Sequence, residues 1–404
     1  MSFPPVLEGI VANEDAPYIC PIRYLHNPLP HRSRPPSLPP LSYPEINNTV
    51  VDTTHSTAFH PLKVVPALPY YSAIPFVYES RFWRHALRSS SALIYLLSLD
   101  KSPGDISMKA GVTMRTIARK ELNLSGKGGY GELQYEDKCW RSVAYMFPFC
   151  KSEERMEVIA CCMVVLFLFD DKGERADTSE FQGVTEDYLK RMSGELRDDS
   201  PFQVYLNSVI KKMNWLDEQR GNGGREVHAE LKKLFDQVPA PTTWKTVTAY
   251  LEFRRNHICN GWVFASVKFS MASSVDIAEP RFKKFLDLAS EHMAITNDLY
   301  SYAKEKQVFK QEDRESLLNI VSVIAKVDRL EEGVALERAT EMLREREQIM
   351  LEELGSLHRD NREVVDGDED LEFLSAVWAC VAGHVFFCMT TERYGGEVAR
   401  IVDT

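Results

Sequence analysis

Long stretches of helical periodicity restrict how this chain can fold more than any other feature. Apolar residues return at three- and four-residue spacing, as on one side of an α-helix, whereas the alternation typical of a half-buried strand is scarce. The pattern predicts helices over seven segments: Glu79–Leu97, Lys151–Phe169, Pro201–Arg220, Trp244–Ser270, Arg281–Lys306, Leu330–Leu354 and Leu371–Thr391. Breaks rich in glycine or aspartate lie around residues 126–131, 221–224 and 365–370. The sequence therefore predicts one all-α domain over residues 76–404.

The first 75 residues differ in composition from the rest. Prolines cluster between Pro28 and Pro44 and again shortly before residue 76. Proline cannot continue a helix, because it lacks a backbone N–H and its ring clashes with the preceding turn. We predict a poorly structured, Pro-rich extension over residues 1–75, with its last part lying over the globular body.

Charge and cysteine content exclude several classes of protein. The formal net charge is -11 and no block of Lys or Arg stands out, which argues against a nucleic-acid partner. None of the eight cysteines forms a CxxC pair, so buried free thiols in a reducing compartment are expected. The N-terminus lacks the basic and apolar regions of a signal peptide, and the longest apolar run, Val158–Phe169, is too short to span a bilayer. The sequence predicts a cytoplasmic protein without a membrane span.

Acidic residues end the most apolar segment, in CCMVVLFLFDDKGE. Asp170 and Glu174 share a helix face with Asp171 beside them, and burying unpaired carboxylates is costly. Converging carboxylate oxygens suit a hard divalent cation such as Mg²⁺, which completes its shell with water and substrate phosphate. The alternative is a solvated helix end in which Glu174 pairs with a neighbouring lysine. A separate acidic stretch at residues 365–370 lacks calcium-loop spacing and is expected to place acids at the start of the helix that follows.

A second polar cluster lies in ITNDLYSYAKE. Asn297, Ser301 and Glu305 fall at i, i+4 and i+8, so one helix face carries an amide, a hydroxyl and a carboxylate oxygen. Lys304 lies near this face, within reach of a phosphate. The alternative is an ordinary amphipathic helix with a polar stripe.

Two pairs of residues add cations. Arg393 and Tyr394 follow the last long helix, and arginine binds phosphate through two hydrogen bonds while a tyrosine hydroxyl adds another. Arg254 and Arg255 interrupt an apolar helical segment. Each pair also has an ordinary explanation, because helix C-termini attract cations and surface arginines form ion pairs.

Taken together and in this order, these clusters resemble the motifs of the class I terpene synthases, and especially the fungal and bacterial sesquiterpene cyclases. The aspartate-rich motif of that family matches Asp170-Asp171-Lys-Gly-Glu174. Its ND(L/I/V)xSxxKE motif matches Asn297-Asp298-Leu299-Tyr-Ser301-Tyr-Ala-Lys304-Glu305 at every specified position, and its C-terminal RY pair matches Arg393-Tyr394. The pyrophosphate-sensing arginine matches Arg254, with Arg255 as a competitor. The chain departs from the family in two places: the first motif ends in Glu174 rather than Asp, and Ile258 replaces a glycine that often follows the sensor.

The resemblance implies a class I terpenoid synthase helical bundle and a carbon–oxygen lyase of isoprenoid secondary metabolism. It implies three Mg²⁺ ions, or Mn²⁺ in their place: two at Asp170, Asp171 and Glu174, and one at Asn297, Ser301 and Glu305. Arg254, Lys304, Arg393 and Tyr394 would act on the diphosphate as catalytic residues, with Arg255 as a further diphosphate contact. Buried aromatic faces can stabilise a carbocation, and the candidates are Phe147, Phe167, Trp262, Trp378 and Phe386, although each is more simply a core residue.

The expected reaction is ionisation of a linear prenyl diphosphate, with farnesyl diphosphate as the expected substrate and a sesquiterpene hydrocarbon or alcohol as the product. C10 and C20 substrates stay open, as does a monomer or a homodimer. A chain-elongating prenyl diphosphate synthase normally carries a second aspartate-rich motif, which the Asn297 motif replaces here. A protonation-initiated cyclase needs a DxDD acid, which the sequence lacks. The non-enzyme alternative is a helical interaction protein whose polar stripes are solvated faces.

Overall fold

A computed structural model describes residues 23–24, 56–59, 69–74, 76–99, 130–173, 178–193, 199–220, 223–236, 240–312, 317–360, 369–391, 394 and 400–401. Helices dominate this part of the chain, as the periodicity predicts. Twelve helices are described: α1 (Trp83–Leu99), α2 (Tyr130–Met146), α3 (Glu153–Gly173), α4 (Thr178–Met192), α5 (Pro201–Arg220), α6 (Gly224–Phe235), α7 (Val247–His257), α8 (Asn260–Ser270), α9 (Pro280–Glu312), α10 (Ile320–Val327), α11 (Glu332–Asp360) and α12 (Glu369–Thr390). The all-α prediction is confirmed.

Four short strands accompany the helices in the described residues. They are β1 (Arg23–Tyr24), β2 (Ser56–Phe59), β3 (Val77–Ser80) and β4 (Arg400–Ile401). Each forms an antiparallel pair, β1 with β4 and β2 with β3. The predicted helix start at Glu79 is therefore wrong, because Glu79 and Ser80 pair with Thr57 and Ser56 and α1 begins at Trp83. Periodicity within one segment cannot reveal this, since the strand takes its hydrogen bonds from a distant part of the chain.

The predicted segment Trp244–Ser270 is two helices. α7 begins at Val247, where the Thr246 side chain accepts a hydrogen bond from the Ala249 N–H, and ends at His257. α8 begins at Asn260 after Cys259, which adopts a left-handed conformation at φ 56°. A left-handed residue interrupts the helical hydrogen-bond ladder, so the chain changes direction immediately after Arg254 and Arg255.

Two helices with long apolar stretches, α3 and α12, form the centre of the fold. α12 packs against α2, α8, α9, α11 and β3, and α3 packs against α1, α2, α4, α5 and α8. α12 is long and apolar enough to cross a membrane, but that stretch is wholly buried among the other helices, as in the core helix of a globular protein. The acids Glu369 and Asp370 lie in its first turn, as predicted.

Residues 69–74 contact both α9 and α11. Ser72 Oγ and the Ala73 N–H donate hydrogen bonds of 2.5 and 2.7 Å to the Glu347 carboxylate. The Tyr300 hydroxyl donates to the Pro69 carbonyl at 3.1 Å. The chain that precedes the helical body is thus attached to α9, the helix that carries the Asn297 cluster.

Candidate active site

α9 carries the predicted row of oxygen ligands. Asn297, Ser301 and Glu305 lie in the same unbroken helix at i, i+4 and i+8, so their side chains share one face. Ser301 is buried and Glu305 is half-buried, whereas Lys304 is exposed. An exposed polar stripe, the alternative interpretation of this helix, does not account for a buried hydroxyl.

Arg254 reaches this face from α7. Its Nη2 donates hydrogen bonds to Asp298 Oδ1 at 2.6 Å and to Asn297 Oδ1 at 3.3 Å. Its Nε is buried and has no hydrogen-bond partner among the described residues. Burial alone would lower the pKa of Arg254, but the adjacent Asp298 carboxylate more than offsets this and holds the pKa above its ordinary value. The guanidinium is thus fixed and charged, and its Nε–H stays available for another acceptor.

His257 meets Arg254 from the end of the same helix, with Nη1 of Arg254 and Nδ1 of His257 3.0 Å apart. Burial and the neighbouring guanidinium lower the pKa of His257 to about 3. The imidazole is therefore neutral at ordinary pH, and since arginine only donates, Nδ1 is the acceptor and Nε2 carries the proton.

Arg255 points elsewhere. Its Nη1 lies 2.9 Å from Asp287 and 3.9 Å from Glu291, both on α9 and more than a turn before Asn297. Of the two adjacent arginines, only Arg254 contacts the Asn297 motif in the described residues.

Asp298 connects three elements and is the site residue to which the sequence assigned no role. It is fully buried and accepts hydrogen bonds from Arg254, from the Tyr250 hydroxyl and, at 2.9 Å, from the Ile320 N–H. Burial and the Asp298 carboxylate raise the pKa of Tyr250 well above its ordinary value, so this hydroxyl stays protonated and donates. The only sequence signal for Asp298 was its place within the matched motif.

Tyr394 also reaches α9. The Asn297 Nδ2 donates to its hydroxyl at 2.8 Å, and its ring lies 6.4 Å from that of Phe387. Asn297 thus contacts Arg254 through its amide oxygen and Tyr394 through its amide nitrogen. Arg393, the other half of the predicted pair, lies outside the described residues.

Asp170 is half-buried and lies in the last turn of α3, which ends at Gly173. The backbone alone is described for Asp171, and Glu174 lies outside the described residues. Burial and the charge of Asp170 raise the pKa of the Cys259 thiol to about 12, while Arg254 acts to lower it. Because Asp170 and Arg254 both act on the Cys259 thiol, the end of α3 and the end of α7 lie near the same residue.

Glu305 is held by a residue from beyond α9. Asn319 Nδ2 donates to Glu305 Oε2 at 2.9 Å. Burial and the negative charge of Asp298 raise the pKa of Glu305 to about 7, while hydrogen bonds from Asn319 and Ser301 act in the opposite direction. Asp298 and Glu305 therefore concentrate negative charge on α9, away from water.

The α9 donor set fits a hard divalent cation. Amide, hydroxyl and carboxylate oxygens are the ligands that Mg²⁺ prefers, and a cation would offset the charge that raises the pKa of Glu305. In the part of the chain that the structure describes, no three His, Cys, Asp or Glu side chains come together as a metal site. The Asp171 and Glu174 side chains lie outside that part of the chain.

The aromatic candidates are all buried, which fits the simpler interpretation as core residues. Phe147 packs edge-on against Trp262 with ring centroids 6.0 Å apart, and Phe386 against Tyr145 at 4.9 Å. Phe167, one turn before Asp170, lies 6.3 Å from Phe387. The described cysteines are all free thiols, as predicted.

Comparison with known proteins finds terpene synthases. Residues 161–348 match the family model "Terpene synthase family 2, C-terminal metal binding", a span that contains Asp170, Arg254 and the Asn297 motif. Terpene cyclase 6 of Gibberella fujikuroi is 24% identical over 353 residues, 85% of this chain and 88% of the relative. The (+)-aristolochene synthase TS1 of Penicillium expansum is 26% identical over 260 residues, 61% of this chain and 75% of the relative. These matches support the resemblance to the class I terpene synthases that the motifs indicate. The matched family and relatives are terpene cyclases, which are lyases of isoprenoid biosynthesis.

Solved structures confirm the fold of this chain. Aristolochene synthase from Penicillium roqueforti superposes with a TM-score of 0.51 at 18% identity, covering 65% of this chain and 88% of that one. The 2-methylisoborneol synthase from Streptomyces coelicolor, in complex with Mg²⁺ and 2-fluoroneryl diphosphate, gives 0.51 at 18% identity, covering 72% and 94%. The predicted class I terpenoid synthase helical bundle is confirmed.

Proposed function

We propose that this terpene synthase ionises a linear prenyl diphosphate with Mg²⁺ and cyclises the resulting carbocation, releasing diphosphate. Farnesyl diphosphate is the proposed substrate, and a sesquiterpene hydrocarbon or alcohol is the product. One observation carries the proposal: Asn297 begins a face of three oxygen ligands on α9 and is hydrogen-bonded to both Arg254 and Tyr394. Ligands for a cation and donors for a diphosphate therefore meet at one residue.

Bound Mg²⁺ would neutralise the leaving diphosphate, and each oxygen cluster has a part in holding it. Asp170, Asp171 and Glu174 would hold two ions, and Asn297, Ser301 and Glu305 a third, with Mn²⁺ as an alternative metal. The crowding of carboxylates in the α9 cluster favours occupation by a cation. In an acidic protein, such ions supply the local positive charge that a diphosphate needs.

Fixed cations would complete the diphosphate site. Arg254 is oriented by Asp298 and has its Nε left over for a further acceptor. We assign Lys304, Arg393 and Tyr394 to the same task, while the contacts of Arg255 with Asp287 and Glu291 favour a structural role for that residue. Donors held in place before the substrate binds stabilise the charge that develops on the leaving group without reorganisation.

The choice of a C15 substrate rests on the resemblance to sesquiterpene cyclases and on relatives named aristolochene synthase. A C20 substrate is the second candidate, since the bifunctional type I diterpene synthase tndC of Aspergillus flavipes is 23% identical over 66% of this chain, although the match spans 34% of that relative. We place the catalytic domain at residues 76–404 and the protein in the cytoplasm, as a monomer or homodimer.

Product analysis tests the proposal. The purified protein is incubated with C10, C15 and C20 prenyl diphosphates and Mg²⁺, released diphosphate is quantified, and the organic phase is examined by gas chromatography–mass spectrometry. We expect a cyclic C15 product and equimolar diphosphate from farnesyl diphosphate. In a parallel incubation with added isopentenyl diphosphate as the C5 donor, a longer prenyl diphosphate would instead indicate chain elongation. No diphosphate release from any substrate would exclude the cyclase function.

Two substitutions test the ligand assignment. Asn297→Ala and Asp170→Ala should each abolish turnover while circular dichroism shows unchanged helicity, because each removes an oxygen ligand rather than a core side chain. Asp328→Ala, which removes an exposed carboxylate just after α10, is the control and should keep wild-type turnover. Near wild-type cyclisation by either site variant would refute the assignment.

A further inference from the structure

Asn319 contacts two parts of the site from a position where the sequence gives no motif. It is fully buried and immediately precedes α10. One Nδ2 hydrogen goes to the Asp298 carbonyl at 2.7 Å and the other to Glu305 Oε2 at 2.9 Å, while Oδ1 accepts from the Val321 N–H at 3.0 Å. Both amide hydrogens and the amide oxygen are therefore in use.

The three contacts serve two different purposes. The bond from Val321 caps α10, a task that Asn, Asp, Ser and Thr all perform. The two donated bonds tie the backbone of the Asn297 motif to the carboxylate at its far end, and only an amide can donate both. A residue selected for capping alone needs no side chain that donates to Glu305.

The orientation of the Glu305 carboxylate depends on such a contact, because the side chain has three rotatable bonds and lies half-buried on the helix surface. With Oε2 bound to Asn319, in addition to the hydrogen bond from Ser301, rotation of the carboxyl group is restricted. Groups that orient a metal ligand typically change metal affinity by about 10–100-fold when they are removed.

We propose that Asn319 is a positioning residue, whose amide fixes the Glu305 carboxylate in the orientation that binds a divalent cation. This inference rests on the proposed function of the α9 face and extends it to a residue fourteen positions beyond Glu305. Asn319 acts through Glu305 and contacts neither the cation nor the substrate.

Two substitutions separate capping from positioning. Asn319→Ser and Asn319→Thr keep an oxygen that caps α10 but have side chains too short to donate to both Asp298 and Glu305. The matched control is Thr246→Ala, which removes the cap of α7 and should lower the melting temperature without affecting the cation site.

The first measurement is binding of Mn²⁺ in the presence of inorganic diphosphate, followed by electron paramagnetic resonance. We expect both Asn319 variants to bind Mn²⁺ about 10–100-fold more weakly than wild type and Thr246→Ala to bind it normally. The second is turnover against Mg²⁺ concentration, where the half-saturating Mg²⁺ should rise by a similar factor while kcat at saturating Mg²⁺ changes less.

Wild-type Mn²⁺ affinity in a folded Asn319→Ser or Asn319→Thr protein would overturn the proposal and leave Asn319 as a cap. Absence of Mn²⁺ binding by the wild-type protein would overturn it as well. If wild type binds Mn²⁺ but turns over no prenyl diphosphate, the proposed function fails, whereas the loss of binding in the variants still decides the role of Asn319.

Discussion

At the scale of single residues, Arg254 and Asp298 place opposite charges where water scarcely reaches. Arg254 is 6% exposed and Asp298 is 0% exposed. Removing two ions from water costs several kcal/mol, and their attraction repays this only when the geometry is good and the remaining hydrogen-bonding positions are filled. The 2.6 Å contact and the donors from Tyr250 and Ile320 meet both conditions. The result is an arginine that stays fixed beside Asn297.

Asp298→Asn should destabilise the protein strongly, because it leaves the Arg254 charge buried without a counterion. We expect the free energy of unfolding to fall by about 3–5 kcal/mol, measured by urea denaturation. Arg254→Met combined with Asp298→Asn should recover part of this loss, since neither charge then remains. Strictly additive losses in the double variant would contradict the pairing.

Glu79 gives the stability of the fold a dependence on pH that is independent of the active site. Burial raises its pKa to about 8, although the charge of Arg141 acts to lower it, and its Oε1 has no hydrogen-bond partner among the described residues. In the unfolded chain the carboxyl ionises near pH 4.5. Between these values the folded state binds more protons, so the contribution of Glu79 to stability is complete below about 4.5 and is lost as pH rises to about 8.

Glu79→Gln should therefore remove a decrease in the free energy of unfolding that wild type shows as pH rises. His257 and His384, whose pKa values burial lowers to about 3, produce the opposite slope, but only below about pH 6.5. The variant and wild type are compared by urea unfolding at pH 5 to 8, and the wild-type curve should fall relative to the variant as pH rises. Parallel curves would show that Glu79 titrates normally.

Candidate site residues could be predicted from the sequence where all of them lie on a single helix. Asn297, Ser301 and Glu305 follow from spacing along α9, because helix geometry alone decides which residues share a face. Asn319 was not predictable in this way, and neither was the contact between Arg254 and His257, because each depends on where a helix ends. Tertiary contacts of this kind leave no periodic signal.

At the scale of elements, apolar periodicity located the long helices and missed the short or mixed ones. α3, α5, α9 and α12 were predicted because a sustained apolar face repeats over several turns. α2, α4, α6 and α10 were not predicted: α10 has eight residues, and the others mix charged and apolar positions. The break at Cys259 was not predicted, although the Asn260-Gly261 dipeptide directly after it is typical of turns.

The contact between α12 and α2 depends on one glycine. A Cβ atom at Gly383 would lie 1.9 Å from the Tyr145 carbonyl oxygen, well inside any permitted distance, and the obstacle is backbone that cannot swing aside. Gly383→Ala should therefore separate two core helices and lower the free energy of unfolding by about 3 kcal/mol or more.

Gly183→Ala is the matched control, because Gly183 lies within α4 and a Cβ atom there would meet nothing within 4 Å. Alanine at this position should stabilise the helix by about 0.5–1 kcal/mol. Thermal unfolding followed by circular dichroism compares the two variants. Similar melting temperatures would mean that α12 and α2 do not approach each other closely at Gly383.

At the scale of the whole molecule, the chain before the helical body is held by a buried carboxylate. Glu347 on α11 accepts hydrogen bonds from Ser72 Oγ and from the Ala73 N–H, and it lies 2.8 Å from His292 Nε2 on α9. One side chain therefore links residues 69–74, α9 and α11. Because α9 also carries the proposed cation ligands, the attachment of residues 69–74 also restricts the movement of the site.

Glu347→Ala should release residues 69–74 and destabilise the protein. The substitution leaves the buried Ser72 Oγ and His292 Nε2 without their partner, at about 1–3 kcal/mol for each unsatisfied group that water cannot reach. Limited proteolysis followed by mass spectrometry should detect faster cleavage near residues 69–74, with a lower melting temperature. Glu341→Ala on the same helix removes an exposed ion pair with Arg338 and should leave both readouts unchanged. Equal cleavage rates in the two variants would show that Glu347 does not hold the segment, and that its burial serves α9 and α11 alone.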